Sequence, residues 1–254
     1  MSNNKNKKIL LNITYQGTAY KGWQKQSDTN MTVQSQLELA LKKRSGQTIK
    51  TLASGRTDAG VHARMQAVSF DYYGDRVIGL EDWVTGLNVF LPEDIKVRSA
   101  QYVGENFHPI AEVKQKSYRY FFKVGKKNNI FLRECVTLFP DDVEIDLIKK
   151  AMQLFKGKHD FKSFQTSNDP QKTTQREIFS ITLKKVGKSG IYYLEIIGSG
   201  FLKHMVRNIM GALIAVARRK ATQKDIRAAL KSTQKIKIGS TAPPEGLFLW
   251  DILY

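Results

Sequence analysis

Cysteine is nearly absent from this sequence: a single residue, Cys135, stands among 254. One cysteine cannot form an intrachain disulfide, which excludes a disulfide-stapled fold and favours a reducing compartment, the cytoplasm. We expect Cys135 to be a small buried apolar residue rather than a nucleophile. The sequence has only four histidines, none with metal-ligand spacing or a cysteine partner, so we expect no metal site; they are His62, His108, His159 and His204.

Long apolar runs are also missing. No stretch approaches the roughly 20 apolar residues that cross a bilayer as a helix, so we expect no membrane segment. Residues 1–8 are polar and basic and lack the apolar core of a signal peptide. We predict that they form a disordered basic arm.

Acidic residues are scarce beside basic ones: 23 Asp and Glu stand against 41 Lys and Arg, a formal net charge of +18. The basic residues are spread along the whole chain, which indicates a broad positive surface rather than one basic tail. A charge of this size exceeds what solubility requires and indicates a polyanionic partner. Because no membrane segment is expected, we predict that this partner is nucleic acid.

Hydrophobic residues make up 41% of the chain, enough for a substantial core. In the first half, their spacing predicts the order β-α-β-α-β. Alternation or continuous apolar character indicates strands, and a four-residue repeat indicates helices. The predicted strands cover 9–15, 68–72 and 95–103. One predicted helix begins near Thr32, a suitable N-cap, and a second covers 81–88.

The second half repeats this order of elements without a repeat of residues. We predict a strand over 118–124, a helix over 147–155, a hairpin of 178–186 with 191–197, helices over 202–217 and from Thr222, and a strand over 247–253. The order predicts an α+β fold of two ferredoxin-like (βαββαβ-type) halves that share a central, largely antiparallel sheet with helices packed on it. The halves are 1–104 and 105–254; no linker separates them, so we expect one compact body.

The stretch 53–63 concentrates polar chemistry between these elements. Gly55 and Gly60 bracket a loop. Arg56 and Asp58 are two apart, so in extended backbone their side chains leave on the same side, where the guanidinium favours an ionised carboxylate. An ionised aspartate suits a nucleophile or a base. The same residues are also ordinary turn chemistry with a structural Arg–Asp brace, and local chemistry leaves both interpretations open.

The run 55–62, Gly-Arg-Thr-Asp-Ala-Gly-Val-His, resembles the catalytic motif of the tRNA pseudouridine synthase A family, in which the aspartate is essential. Further segments resemble this family in the same order, so that the resemblance covers nearly the whole chain: 15–26, 88–92 with 107–108, 116–120, 201–208 and 242–247. The resemblance implies an isomerase that converts uridine to pseudouridine in the anticodon stem-loop of tRNA, at positions 38, 39 and/or 40. It also implies a homodimer that uses no cofactor.

The resemblance assigns roles residue by residue. Asp58 is the catalytic residue, Tyr118 packs on the target base, Arg207 pairs with Asp58, Leu247 lines the pocket, and Arg56 binds substrate. The candidates for RNA contacts are Tyr20, Trp23, Gln24, His62, Arg176 and Lys203. The loop 15–26 mixes aromatic residues, glycines and amides, which suit stacking and hydrogen bonding to RNA, but a surface loop pinned by Trp23 fits the same composition. One departure is Pro109-Ile110, where the family often has Ala-Arg, so an RNA contact there is in doubt.

Each role has a chemical reason. The isomerisation breaks the N1–C1′ bond, turns the base and re-joins it through C5, which requires a carboxylate, a stacking surface and apolar walls. Whether Asp58 attacks C1′, attacks C6 or deprotonates C2′ stays open. Arg207 lies roughly 130° from the centre of the apolar stripe of its helix, outside the core, and Gly211 one turn on can admit a second backbone.

Two other classes remain to be weighed. A non-enzymatic RNA-binding module would fit the basic charge and ferredoxin-like halves, but 65–70 matches the glycine-aromatic RNP1 pattern poorly. A phosphoryl-transfer enzyme could use the 55–60 loop, but it would need a Gly-Lys-Ser/Thr ending and a carboxylate pair for magnesium, which the sequence lacks.

Overall fold

The computed structural model describes residues 7–127, 129–166, 173–232 and 234–254. The predicted basic arm falls largely on 1–6, outside these residues, whereas Lys7 and Lys8 already belong to the first strand. The fold is α+β, as predicted, with ten strands and five α-helices in the described residues and mostly antiparallel pairing. The chain divides into two compact units, the first comprising the chain up to Lys114 together with 249–254 and the second 115–248.

The first unit is built on strand β1 (Lys7–Tyr15), with antiparallel neighbours β3 (His62–Tyr72) and β4 (Ile95–Val103). A short strand, β2 (Leu52–Ala53), pairs with the other edge of β3. Helix α1 (Val33–Ser45) begins after Thr32, whose hydroxyl accepts a hydrogen bond from the Ser35 amide as the predicted N-cap. Helix α2 (Leu80–Phe90) covers the sheet through Trp83, whose ring packs edge-on against Phe70 and Tyr72 of β3.

The second unit contains strands in the order β5 (Gln115–Val124), β9 (Ile191–Gly198), β8 (Gln175–Lys185) and β7 (Gly157–Asp160), all antiparallel. Strand β6 (Thr137–Phe139) runs parallel to β5. The helices are α3 (Ile145–Met152), α4 (Met205–Ala217) and α5 (Gln223–Lys231), and α3 packs against α4. The last strand, β10 (Leu247–Leu253), has the predicted bounds.

Several details differ from the sequence predictions. Strands β2, β6 and β7 were not predicted, because two to four residues are too few for alternation to show. Helix α3 ends at Met152 and tightens into a 3₁₀ turn over Gln153–Phe155. Helix α4 starts at Met205 rather than at 202, because His204 has φ 63° and breaks the helical conformation.

Cys135 is half-buried rather than fully buried as expected. Burial, and then the nearby charge of Glu134, raise the pKa of its thiol. Both effects disfavour the thiolate, so this cysteine is a poor nucleophile.

Candidate active site

Asp58 opens a tight turn in the first unit. The Val61 amide donates to the Asp58 carbonyl at 3.1 Å, and Gly60, the third residue of the turn, has φ 76°. A positive φ at that position favours glycine. Asp58 is half-buried, between buried Thr57 and exposed Ala59. The turn therefore presents the aspartate at the margin of the core.

The segment 15–26 packs directly against this turn. Gly22 has φ 94°, and a Cβ there would lie 2.8 Å from the Thr57 carbonyl oxygen and 3.2 Å from the Ala59 nitrogen. The Trp23 amide donates to the same Thr57 carbonyl at 3.0 Å. Only glycine fits so close an approach in this conformation. The two sequence motifs are therefore one structural unit, with Gly22 in contact with the backbone on either side of Asp58.

Buried side chains fix the loop from below. The Tyr15 hydroxyl and the Thr57 hydroxyl lie 2.8 Å apart in a buried hydrogen bond, and burial raises the pKa of Tyr15 far above its usual value. The Gln66 carboxamide donates to the Gly55 carbonyl at 2.8 Å and accepts from the Ser54 hydroxyl at 2.8 Å. Few backbone groups of the loop can shift without breaking one of these bonds.

The expected pairing of Arg56 with Asp58 is wrong. Arg56 is exposed, and within the described residues no ion pair of 4.0 Å or less joins it to Asp58. The expectation assumed extended backbone, but the chain turns at Asp58, whereas Thr57 inserts its side chain into the core.

Three of the predicted RNA-contact residues are buried instead of exposed. Tyr20 is 5% exposed, Trp23 2% and His62 0%. The Tyr20 hydroxyl donates to the Asp94 carboxylate at 2.5 Å, and the Gly17 amide donates to Nδ1 of His62 at 3.0 Å. These side chains hold the segment 15–26 beneath the loop, and among the candidates of this unit only Gln24 is exposed.

Tyr118 lies on β5 in the second unit, buried on the same face as Tyr120, as the alternation predicted. Its ring packs edge-on against Phe201 at a centroid distance of 5.0 Å. Phe201 lies three residues after Gly198, the last residue of β9, where a Cβ would meet the Glu177 carbonyl at 2.6 Å. The motifs 116–120 and 201–208 therefore meet at these two aromatic rings.

Arg207 lies outside the core of α4, as predicted: it and Asn208 alone are not buried among the residues of that helix. Nε of Arg207 donates to the Ala242 carbonyl at 2.7 Å. One turn on, a Cβ at Gly211 would lie 1.9 Å from the Ser240 carbonyl oxygen. The prediction that Gly211 admits a second backbone is confirmed, and that backbone is the segment 239–242.

A buried hydroxyl network holds the closing motif against β5, and the sequence analysis missed it. The Tyr120 hydroxyl donates to the Pro243 carbonyl at 2.8 Å and lies 2.9 Å from the Thr137 hydroxyl, which bonds to Glu245 at 2.9 Å. Burial raises the pKa of Tyr120 far above its usual value. Leu247, 5% exposed, lies two residues after Glu245. No local signal connects residues more than 100 positions apart, so only an unexplained polar pair in a strand could have pointed to it.

The second unit also contains three of the basic residues near the predicted motifs, Lys116, Arg176 and Lys203. Lys116, two residues before Tyr118 on β5, is half-buried, and burial together with the positive charge of Arg176 lowers the pKa of its ammonium to about 8. Arg176 is half-buried and donates to the Thr173 and Gln175 carbonyls, and Lys203 is exposed. Two repelling cations held close together favour an anionic ligand.

The departure at Pro109-Ile110 forms a turn in the first unit. Ile110 is 50% exposed, and the Pro109 carbonyl accepts a hydrogen bond from the Tyr254 hydroxyl at 3.0 Å. Elsewhere, the described residues include no helix with the length and apolar character to cross a bilayer, and no group of three or more His, Cys, Asp or Glu suited to a metal ion.

Comparison with known proteins defines the class. The family described as "tRNA pseudouridine synthase" matches residues 12–110 and 151–254. The chain is 39% identical over 246 residues to tRNA pseudouridine synthase A of Geotalea daltonii, covering 97% of this chain and 99% of that protein. It is 37% identical over 246 residues to the same-named protein of Pseudothermotoga lettingae, with the same coverage, and 36% identical over 249 residues to that of Bacillus pumilus, again covering 97% and 99%. This chain belongs to the tRNA pseudouridine synthase A family.

Proposed function

We propose that this protein isomerises uridine to pseudouridine in the anticodon stem-loop of tRNA, at positions 38, 39 and/or 40, with Asp58 as the catalytic carboxylate. Family membership makes it an isomerase that acts on tRNA uridines.

The observation that carries the proposal is the fixed backbone around Asp58. The Thr57 carbonyl accepts a hydrogen bond from the Trp23 amide, and the Asp58 carbonyl accepts one from the Val61 amide. Gly22 packs so closely against this backbone that the loop cannot move towards it. A catalytic carboxylate requires such preorganisation, because a displacement of about 1 Å costs on the order of 100-fold in rate.

In this proposal the second unit binds the uridine. A target uridine in a stem-loop must leave its stack, at a cost of about a few kcal/mol, and an aromatic face restores part of that free energy. Tyr118 supplies the face and Leu247 an apolar wall that excludes water. Arg207 supplies a charged donor held in place by Ala242. Exposed Arg56 and Lys203 contact RNA phosphates, as do Gln24 and Arg176 at the periphery.

The reaction balances without an outside reagent. The N1–C1′ bond breaks, a C5–C1′ bond forms, the proton on C5 leaves to solvent and N1 gains a proton. Asp58 begins the sequence by attack on C1′, by attack on C6 or by removing the C2′ proton. Deuterium at C2′ of the target uridine separates these routes, because only proton removal from C2′ gives a primary isotope effect on single turnover.

The deciding experiment uses tRNA that carries tritium at C5 of uridine, with no nucleotide added and with EDTA present. Tritium release measures the loss of the C5 proton, and mapping of the modified positions tests the assignment to the anticodon arm. Asp58→Asn preserves shape and removes charge, so turnover should fall by roughly 10³-fold or more while tRNA binding survives. Asp28→Asn, at an exposed aspartate of the same unit, is the matched control. Full isomerisation by Asp58→Asn would overturn the assignment.

We also propose a homodimer in the cytoplasm that works without metal or cofactor. The family resemblance supports the dimer, and the lone Cys135 suits a reducing compartment. Light scattering of the purified protein at several concentrations tests the dimer, and the EDTA arm of the tritium assay tests metal independence.

A further inference from the structure

A cavity of about 380 Å³ lies in the second unit beside α4. Polar and basic side chains dominate its walls, among them Ser163, Gln165, Asn208, Lys235, Lys237 and Thr241. The volume falls in the range of small-ligand sites. Such a cavity admits one nucleotide unit and excludes a helix or a duplex.

The cavity adjoins the residues proposed to bind uridine without including them. Asn208 donates to the Phe164 carbonyl at 2.8 Å and accepts from the Thr241 hydroxyl at 2.7 Å. The neighbouring pair, Arg207 and Ala242, makes the bond described above. Successive helix residues are about 100° apart, so the pair at Asn208 faces a different direction from the pair at Arg207. Helix α4 and the segment 239–242 therefore line the cavity through one pair of residues and hold Arg207 through the other.

The charge of the cavity selects an anion. Lys235 and Lys237 are two apart in a segment without helical structure, a spacing that places both side chains on one side, and both line the cavity. None of the described residues that line it is acidic. A concave site lined by one sign of charge raises the local concentration of the opposite ion. A phosphate group carries the negative charge that two lysines at one wall attract.

The uncharged lining groups select a ligand with hydroxyl or amine donors. The Ser163 hydroxyl accepts from the Ile236 amide at 3.1 Å, which positions that oxygen at the cavity wall. The buried side-chain oxygen of Gln165 has no hydrogen-bond partner among the described residues. An unsatisfied buried acceptor is unfavourable by about 1–3 kcal/mol, and a small rotation of the carboxamide would let a bound donor relieve it. Inorganic phosphate alone has no ribose hydroxyl or base amine to donate to this oxygen.

We propose that this cavity binds one nucleotide of the tRNA other than the target uridine, with its phosphate on Lys235 and Lys237 and its ribose or base on the carboxamides and hydroxyls. The inference rests on the proposed function, which supplies tRNA as the ligand. The site adds an anchor adjacent to the modification site, and so contributes to the choice of the uridine that is modified.

The first test compares two double variants with the same change in charge. Lys235→Ala/Lys237→Ala removes the phosphate site, whereas Lys184→Ala/Lys188→Ala removes two exposed lysines from the same unit. The first should raise the Kd for tRNA by about 10-fold and reduce the slope of log Kd against log[salt] by about 0.7, the value for the one single-strand phosphate that both lysines contact. The second should change the Kd less than threefold. Equal effects of the two pairs would overturn the cavity as a specific site.

A nearly isosteric substitution separates the cavity from general charge. Gln165→Glu places a carboxylate beside the proposed phosphate. The control, Gln153→Glu, makes the same change at an exposed position of the same unit that does not line the cavity. We expect weaker tRNA binding from Gln165→Glu alone, with thermal unfolding of both variants checked first. Wild-type affinity in a folded Gln165→Glu would contradict the proposal.

Crosslinking identifies the ligand directly. Irradiation of the protein with tRNA containing 4-thiouridine should attach RNA to peptides from 163–166 or 235–241. A parallel arm uses 4-thiouridine 5′-monophosphate: labelling of these peptides that excess tRNA cannot displace would assign the cavity to a free nucleotide and overturn the proposal, as would the absence of tRNA crosslinks there. Tritium release by the wild type runs alongside. If it fails, the proposed function fails; if it succeeds and the cavity variants match their controls, this inference alone fails.

Discussion

Arg207 and Ala242 exchange two hydrogen bonds: Nε of the arginine donates to the Ala242 carbonyl at 2.7 Å, and the Ala242 amide donates to the Arg207 carbonyl at 3.1 Å. These two bonds fix the direction of the arginine side chain relative to the segment 239–242. A fixed cation of this kind stabilises charge that develops during a reaction more than a mobile one does, because it needs no reorganisation.

Arg207→Ala should therefore lower the single-turnover rate by roughly 100-fold, with a smaller loss of tRNA affinity from one missing charge. Arg207→Lys keeps the charge and loses the planar fork, so we expect only partial recovery. Rapid-quench assays and filter binding measure the two quantities separately. Strongly weakened binding with an intact single-turnover rate would make Arg207 an RNA anchor instead.

Tyr118 should show a different pattern. Its ring packs edge-on against Phe201, and Tyr118→Phe preserves that contact and the stacking face. RNA binding should be retained, and any lost activity then reports a chemical role for the hydroxyl. Tyr118→Leu removes the face as well, and should weaken substrate binding by about 1–3 kcal/mol, the usual contribution of one stacked base. Equal binding by the Phe and Leu variants would mean that this ring does not stack on the base.

Local patterns predicted much of the fold because the signals lie in neighbouring residues. The strands 95–103 and 247–253 have the predicted bounds, and Thr222 and Asp225 form the capping box that their spacing indicated. Tyr20 and Trp23 show where such reasoning ends. Aromatic residues in a loop suggested a binding surface, but burial depends on which segments pack beneath the loop, and that is a tertiary property.

The glycines carried more information than the aromatic residues did. Gly211 was correctly expected to admit a second backbone, yet the sequence could not say that the partner is Ser240. Likewise, the network of Tyr120, Thr137 and Glu245 joins three distant segments through hydrogen bonds that leave no local periodicity. Motif resemblance located the candidate site, and the packing contacts explain why those motifs need their particular residue types.

Gly22 provides a test of loop rigidity with a close control. Gly22→Ala introduces both a strained φ and a methyl group 2.8 Å from the Thr57 carbonyl, whereas Gly46→Ala has a similar φ of 77° and no atom within 4 Å. Both variants should lose about 1 kcal/mol of stability from backbone strain. Only Gly22→Ala should also lose turnover, because its methyl group displaces the backbone next to Asp58. Comparable activity in the two variants would show that the position of the loop is not critical.

Lys116 predicts a dependence of stability on pH. Burial and the nearby charge of Arg176 lower the pKa of its ammonium in the folded protein to about 8, whereas the unfolded chain holds this proton to about pH 10.4. Below pH 8 both states are protonated, and the unfavourable buried charge acts in full. Between pH 8 and about pH 10 the unfolded state binds more protons, so the contribution of this group to stability rises with pH.

Two substitutions isolate that contribution from all other titrations. Lys116→Arg stays charged throughout. The free energy of unfolding of the wild type should therefore rise relative to that of this variant as the pH increases from 7.5 to 10. Lys116→Met never carries the charge. It should exceed the wild type in stability at pH 7.5, and the gap should narrow strongly by pH 10. Urea unfolding at several pH values measures all three proteins. The slopes decide the matter, since a constant packing defect in either variant shifts its curve without changing its dependence on pH. Parallel curves for the three proteins would mean that Lys116 keeps an ordinary pKa in the folded protein.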